Sequence, residues 1–191
     1  MRGLAATLTG LCMLIAFGGV LARDILFSLP TLEFQSAILA VILSSLSTSL
    51  TPLSSAFGAF TYVPPSQTPV QLGIWPLIAW IAVGVMVGLL TQKPSESVIP
   101  SLLTPTITYI SVVGLAGYVL PRIPSAINWE IYLTKLAQQI ILEGPLDFAF
   151  LFAVPITFSL ITASMAELAS PKPVVTTVSR RRRFLHWPEE E

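Results

Sequence analysis

The chain has 191 residues, of which 53% are hydrophobic and only 10% charged, against roughly 25% charged in an ordinary soluble domain. Ten basic and ten acidic residues cancel, so no net field draws nucleic acid, and a mean hydropathy of +0.78 calls for a bilayer as solvent. A single cysteine, Cys12, and a single histidine, His186, rule out an intrachain disulfide and leave no cofactor or metal site to be expected.

The first apolar stretch, 3–22, lies between Arg2 and the pair Arg23-Asp24 and holds no charge. As a helix it rises about 30 Å, the thickness of the hydrocarbon core. Val20-Leu21-Ala22 would also suit signal-peptide cleavage, but the apolar part outruns a usual signal core, so a retained span is expected. A second span is expected over 34–53. Its first half is aliphatic, and its second carries Ser44, Ser45, Ser47, Thr48, Ser49 and Thr51. On one continuous helix Ser44, Thr48 and Thr51 share a face. That face reads either as a polar path for a solute or as a packing seam. Small hydroxyl residues in a seam allow close approach and bond back to their own carbonyls, which is their commoner use.

Between Pro52 and Leu72 there is no charge, but Gly58, Pro64-Pro65 and Pro69 forbid a continuous helix. Phe57, Phe60 and Tyr62 suggest a loop along the membrane face. The third span, 74–90, has Pro76 where a first turn tolerates it, with Trp75 and Trp80 as interfacial anchors. Gly84 and Gly88 form a GxxxG and predict a helix-packing face. A joint with Lys93 and Glu96 leads to the fourth span, 101–120, with Pro105 in its first turn and Pro121 and Pro124 beyond its end. The segment 129–142 puts Trp129, Tyr132, Leu133, Leu136 and Ile140 on one helical face. It would rise only about 21 Å, so it reads as a short amphipathic helix in the interface or packed on the bundle. Gly144-Pro145 breaks the chain before the last span, 146–166, where Pro155 removes a backbone bond. From 170 to 191 runs a basic, then acidic tail with little expected structure.

The fold class is therefore an all-α polytopic membrane bundle of about five spans with one interfacial helix. With five spans, one side would hold Arg23, Lys93, Lys172 and Arg180 to Arg183, and the other Arg2, Arg122 and Lys135. The richer side is cytoplasmic, which predicts an integral protein of the cell membrane with its N-terminus outside and its tail inside. Arg180, Arg181, Arg182 and Arg183 would set topology and touch anionic lipid headgroups.

Candidate chemistry is sparse. Glu143 and Asp147 would share a face if helix ran through Gly144-Pro145, and with Glu33 and Glu167 they fall at expected span ends. An acid at membrane depth would be a proton relay or cation ligand, but at span ends these acids read as solvated caps. No GxSxG, HExxH or glycine-rich phosphate loop occurs, and no lysine sits within a span to activate a serine. The expected role is a non-catalytic membrane subunit or scaffold, partnered by the bilayer and by other membrane subunits or a second copy. A transporter or channel subunit for a neutral or apolar solute is the alternative, and a membrane enzyme comes third.

Overall fold

The computed structural model describes residues 2–27, 34–123 and 126–170, and is mostly helical. In chain order it contains α1 (Arg2–Leu21), α2 (Arg23–Phe27), α3 (Phe34–Ser47), α4 (Pro52–Ala56), β1 (Phe60–Tyr62) and β2 (Pro69–Gln71). After these come α5 (Trp75–Thr91), α6 (Pro94–Val119), a 3-10 turn (Leu120–Arg122), α7 (Trp129–Ala137), a π-helical turn (Gln138–Glu143) and α8 (Pro145–Ala169). Among the described residues three helices are long and apolar enough to cross a bilayer: α1, α6 with its 3-10 extension, and α8. The 17-residue α5 is shorter and runs beside α8.

Glycine sets how closely these helices meet. A Cβ on Gly84 would stand 2.8 Å from the Pro155 carbonyl oxygen, and one on Gly88 would stand 2.5 Å from that of Ser159. Both residue numbers climb together, so α5 and α8 are parallel. On α1, Gly3 faces Pro100 and Gly10 faces Thr104, which makes α1 and α6 parallel too. Gly18 is the tightest point, since its Cβ would fall on the Ser45 carbonyl of α3. Small residues at these points let the helix backbones approach closely, a packing mode common among apolar helices.

The connections show that the chain leaves and returns at one end of this bundle. Ala22, just past α1, forms one buried cluster with Val63 and Leu72, and Leu72 lies three residues before α5. Ala22 and Leu72 therefore lie at the same end of the bundle. The expected span 34–53 is not one helix. It ends at Ser47 after 14 residues, passes through a buried break at 48–51, and turns into the five-residue α4. Serine and threonine side chains compete for backbone groups, and a run of them ending at Pro52 ends a helix that apolar composition alone would prolong.

The loop expected after it contains α4 and a short antiparallel hairpin, in which Phe60 pairs with Gln71 and Tyr62 with Pro69. Residues 126–143 lie at the same end. The Ile127 N–H donates to the Pro65 carbonyl at 3.3 Å, and Gln139 Nε2 donates to that of Phe60 at 3.0 Å. α7 packs on the bundle through Tyr132 and Leu136, one of the two dispositions expected of it, and the turn after it adds Ile140. At the opposite end the connection is a tight turn. Gln92 adopts a left-handed conformation (φ 58°), and α6 begins at Pro94 rather than at 101, with Pro100 and Pro105 inside it. The N-terminus of α1 and the C-terminus of α8 lie at that same opposite end.

Candidate functional site

The polar interior is concentrated around the break between α3 and α4. Ser44, Ser45, Ser47, Thr48, Ser49, Thr51 and Ser55 are all buried. Most of these hydroxyls return to nearby carbonyls: Ser45 donates to Val41 O and Ser47 to Leu43 O at 2.7 Å, and Thr48 donates to Ser45 O at 2.7 Å. The Ser44 hydroxyl lies 2.8 Å from Ala40 O and 2.5 Å from Pro64 O, which ties α3 to the hairpin loop. Thr51 and Ser55 share a bond of 3.1 Å. Because the helix stops at Ser47, Ser44, Thr48 and Thr51 do not form one stripe, and their hydroxyls are occupied by such bonds.

Asp147 fastens the next residues. α4 has Thr51 at its N-cap, but that side chain makes no capping bond, and Pro52 has no N–H to offer. The Ser55 N–H reaches Thr51 O at 3.2 Å, which leaves the N–H groups of Leu53 and Ser54 as the orphan donors of this helix. Asp147, in the first turn of α8, accepts both on Oδ1, at 2.7 and 3.0 Å, while its Oδ2 accepts the Ser54 hydroxyl. A carboxylate 94 positions away in sequence thus supplies the missing cap, and it also sits at the positive end of its own helix.

This overturns the expectation of a solvated end residue, since Asp147 is only 1% exposed. The reason is tertiary: the helix does begin at Gly144-Pro145 as expected, but α4 packs against that beginning. Glu143 belongs to the π turn and Gly144 breaks the helix after it (φ −133°, ψ 58°), so no continuous helix places Glu143 with Asp147. The Glu143 side chain lies outside the described residues, as do Glu33 and Arg180, Arg181, Arg182 and Arg183. Glu167 is exposed. Lys135 does not pair with Asp147, because its Nζ lies 4.0 Å from the centre of the Tyr62 ring.

Two more donors complete the fastening, and neither was expected. Trp80 is fully buried rather than an interfacial anchor, and its Nε1 donates to Ser49 O at 2.7 Å; Trp75 remains exposed. Tyr132 of α7 donates to Ser47 Oγ at 3.0 Å. Burial holds the Tyr132 phenol proton well above its ordinary range, with the Ser47 bond pulling the other way. The sequence does carry a signal for each. Tyr132 lies on the apolar face of its helix, and Trp80 lies one turn before Gly84 on the close-packing face. A buried Trp or Tyr needs a partner for its polar tip.

A cavity of about 240 Å³ adjoins this cap, lined by Ser54, Ala59, Phe60, Gln139 and Gly144. On the other side of the bundle, Ser101 Oγ lies 2.7 Å from Ser159 Oγ, whose proton goes to Ile156 O. Among the described residues, no three His, Cys, Asp or Glu side chains gather where they could hold a metal ion. Comparisons with protein-family models, curated proteins and solved structures find no match.

Proposed function

We propose that this chain is a non-catalytic helical subunit or scaffold of a membrane assembly. It crosses the bilayer four times, by α1, α5, α6 and α8, with both ends in the cytoplasm. One observation supports the scaffold reading above all: the interior polar groups are spent on internal fastening. Among the described residues no buried side-chain nitrogen or oxygen lacks a hydrogen-bond partner. A conducting or catalytic site keeps donors and acceptors free for its ligand.

The orientation rests on charge. With four spans the end bearing the termini carries Arg2, Lys93, Lys172 and Arg180 to Arg183, against Arg23, Arg122 and Lys135 at the hairpin end. That seven-to-three split favours a cytoplasmic location for both termini. The five-span alternative exchanges Arg2 and Arg23 between the sides and has the same split, so charge counting cannot separate the two.

Single cysteines in a Cys12→Ala background do separate them. With an impermeant thiol reagent on intact cells, Asp24→Cys and Ser66→Cys should label and Ser179→Cys should not. Labelling at Ser66 but not at Asp24 would restore five spans. For the assembly itself, the chain purified by a tag should carry companions in fixed stoichiometry or a second copy of itself. A lone, inert monomer in mild detergent would count against the scaffold role.

A second reading, a transporter or channel subunit, draws on the cavity beside Asp147 and on the buried break in the helix. Broken helices bordering a cavity are a common place for solutes in membrane carriers. Solute or proton uptake abolished by Asp147→Asn in a stably folded chain would put this reading first.

A further inference from the structure

A larger cavity than the one beside the break lies elsewhere in the bundle. It is a groove of about 660 Å³ between the first halves of α1 and α6, at the end where both termini lie. Its walls include Leu4, Leu8, Ile99 and Leu103, which are exposed on the flank of the bundle, and its mouth holds Arg2 and Ser95. Glu96 is also at the mouth, but its carboxylate is paired with Lys93 at 3.0 Å. Arg2 makes no ion pair among the described residues, so the mouth presents an unbalanced positive charge and a serine hydroxyl.

The length of the groove is informative. From Arg2 to Leu11 on one wall, and from Ser95 to Ile107 on the other, the helices rise about 14 and 18 Å. That is close to half the roughly 30 Å hydrocarbon thickness, the depth of a single leaflet. A slot that is apolar along its length, open sideways and cationic only at its outer end has the chemistry of one phospholipid. The chain of the lipid would fill the slot, and its phosphate would meet the guanidinium. A second protein helix would need an acidic side chain placed opposite Arg2, whereas a phospholipid carries its anionic group and its apolar chain together.

We propose that this groove binds a single anionic phospholipid from the leaflet on the side of the termini, with Arg2 and Ser95 on the headgroup and Leu4, Leu8, Ile99 and Leu103 on an acyl chain. The inference rests on the membrane reading above but not on the scaffold role. Its test is native mass spectrometry of the full chain in detergent, titrated with phosphatidylglycerol or with phosphatidylcholine of the same chain length. One phosphatidylglycerol per protein should be retained, about fivefold more tightly than phosphatidylcholine, as expected for one basic residue at an anionic surface. Arg2→Gln should erase that preference while leaving phosphatidylcholine binding unchanged.

Leu103→Trp, and independently Leu8→Trp, should fill the slot and lower retention of both lipids without lowering thermal stability, since both positions face outward. Equal retention of the two lipids by the unaltered chain would overturn the proposal, as would tryptophan variants that bind as before. So would increased lipid binding after removal of 171–191, which would make the tail the occupant of the groove. A chain that stays in buffer without detergent would sink the membrane reading itself. A chain that needs detergent yet retains no lipid would sink only the groove.

Discussion

Replacing Asp147 tests whether the carboxylate is a structural cap or a chemical site. Alanine there would strand the N–H groups of Leu53 and Ser54, because Pro52 and Thr51 offer nothing in its place. An orphaned buried donor costs about 1–3 kcal/mol, and loss of a helix cap about 1 kcal/mol. The neighbouring 240 Å³ cavity can bring water to part of this gap, which limits the sum. A loss of about 2–4 kcal/mol is therefore expected for Asp147→Ala. Asparagine should be milder. Its oxygen can keep both N–H groups, and its NH2 can donate to a Ser54 hydroxyl that reverses its role, so only the charge assistance goes, about 1 kcal/mol. Unfolding of the purified chain in detergent, read by circular dichroism, should rank wild type above Asn and Asn above Ala. Amide exchange at residues 53–54 should rise in the alanine variant before exchange in α5 does. Three proteins of equal stability would refute the cap. Stable folding of both variants with function lost in both would refute the structural reading and promote the ionisable group to a site.

Glycine substitutions should divide by what each Cβ meets. Gly18→Ala and Gly88→Ala should destabilise by at least about 1–3 kcal/mol through overpacking, while Gly114→Ala, which meets nothing within 4 Å, should be neutral or gain a few tenths in unfolding measurements. Equal effects at Gly88 and Gly114 would discredit the α5–α8 contact. Trp80→Phe removes the bond to Ser49 O as well as ring volume from a filled core, and a loss of about 2 kcal/mol is expected in the same assay. Tyr132→Phe should cost about 1 kcal/mol, because Ser47 keeps its own bond to Leu43 O; no change would mean that the phenol does not hold the break.

The long apolar helices were legible because the rule for a candidate span is one-dimensional: enough consecutive apolar residues. The stretches 3–22 and 146–166 fall within a residue or three of α1 and α8. The short helix near 129 was also visible in its periodicity. Where that rule competed with hydroxyls and charges it misled in both directions. It extended the second helix through Thr48–Thr51, and it trimmed α6 by seven residues because Lys93 and Glu96 read as a charged joint between spans. Protein neighbours supply what an isolated helix would lack, so prolines can sit inside α6 and a broken helix can lie buried.

The sequence by itself determined the long apolar helices and the presence of a close-packing Gly84/Gly88 face. Each of those follows from residues near one another along the chain. The tertiary structure alone decided which helix that face meets, that Ala22 and Leu72 lie at one end of the bundle, and what the buried Asp147 carboxylate does. Asp147 and Leu53 are 94 positions apart, and nothing local to either one records the other. An acid at the start of a helix is ordinarily stabilised by water and by its own helix dipole. Here a second helix without a cap of its own takes the place of that water.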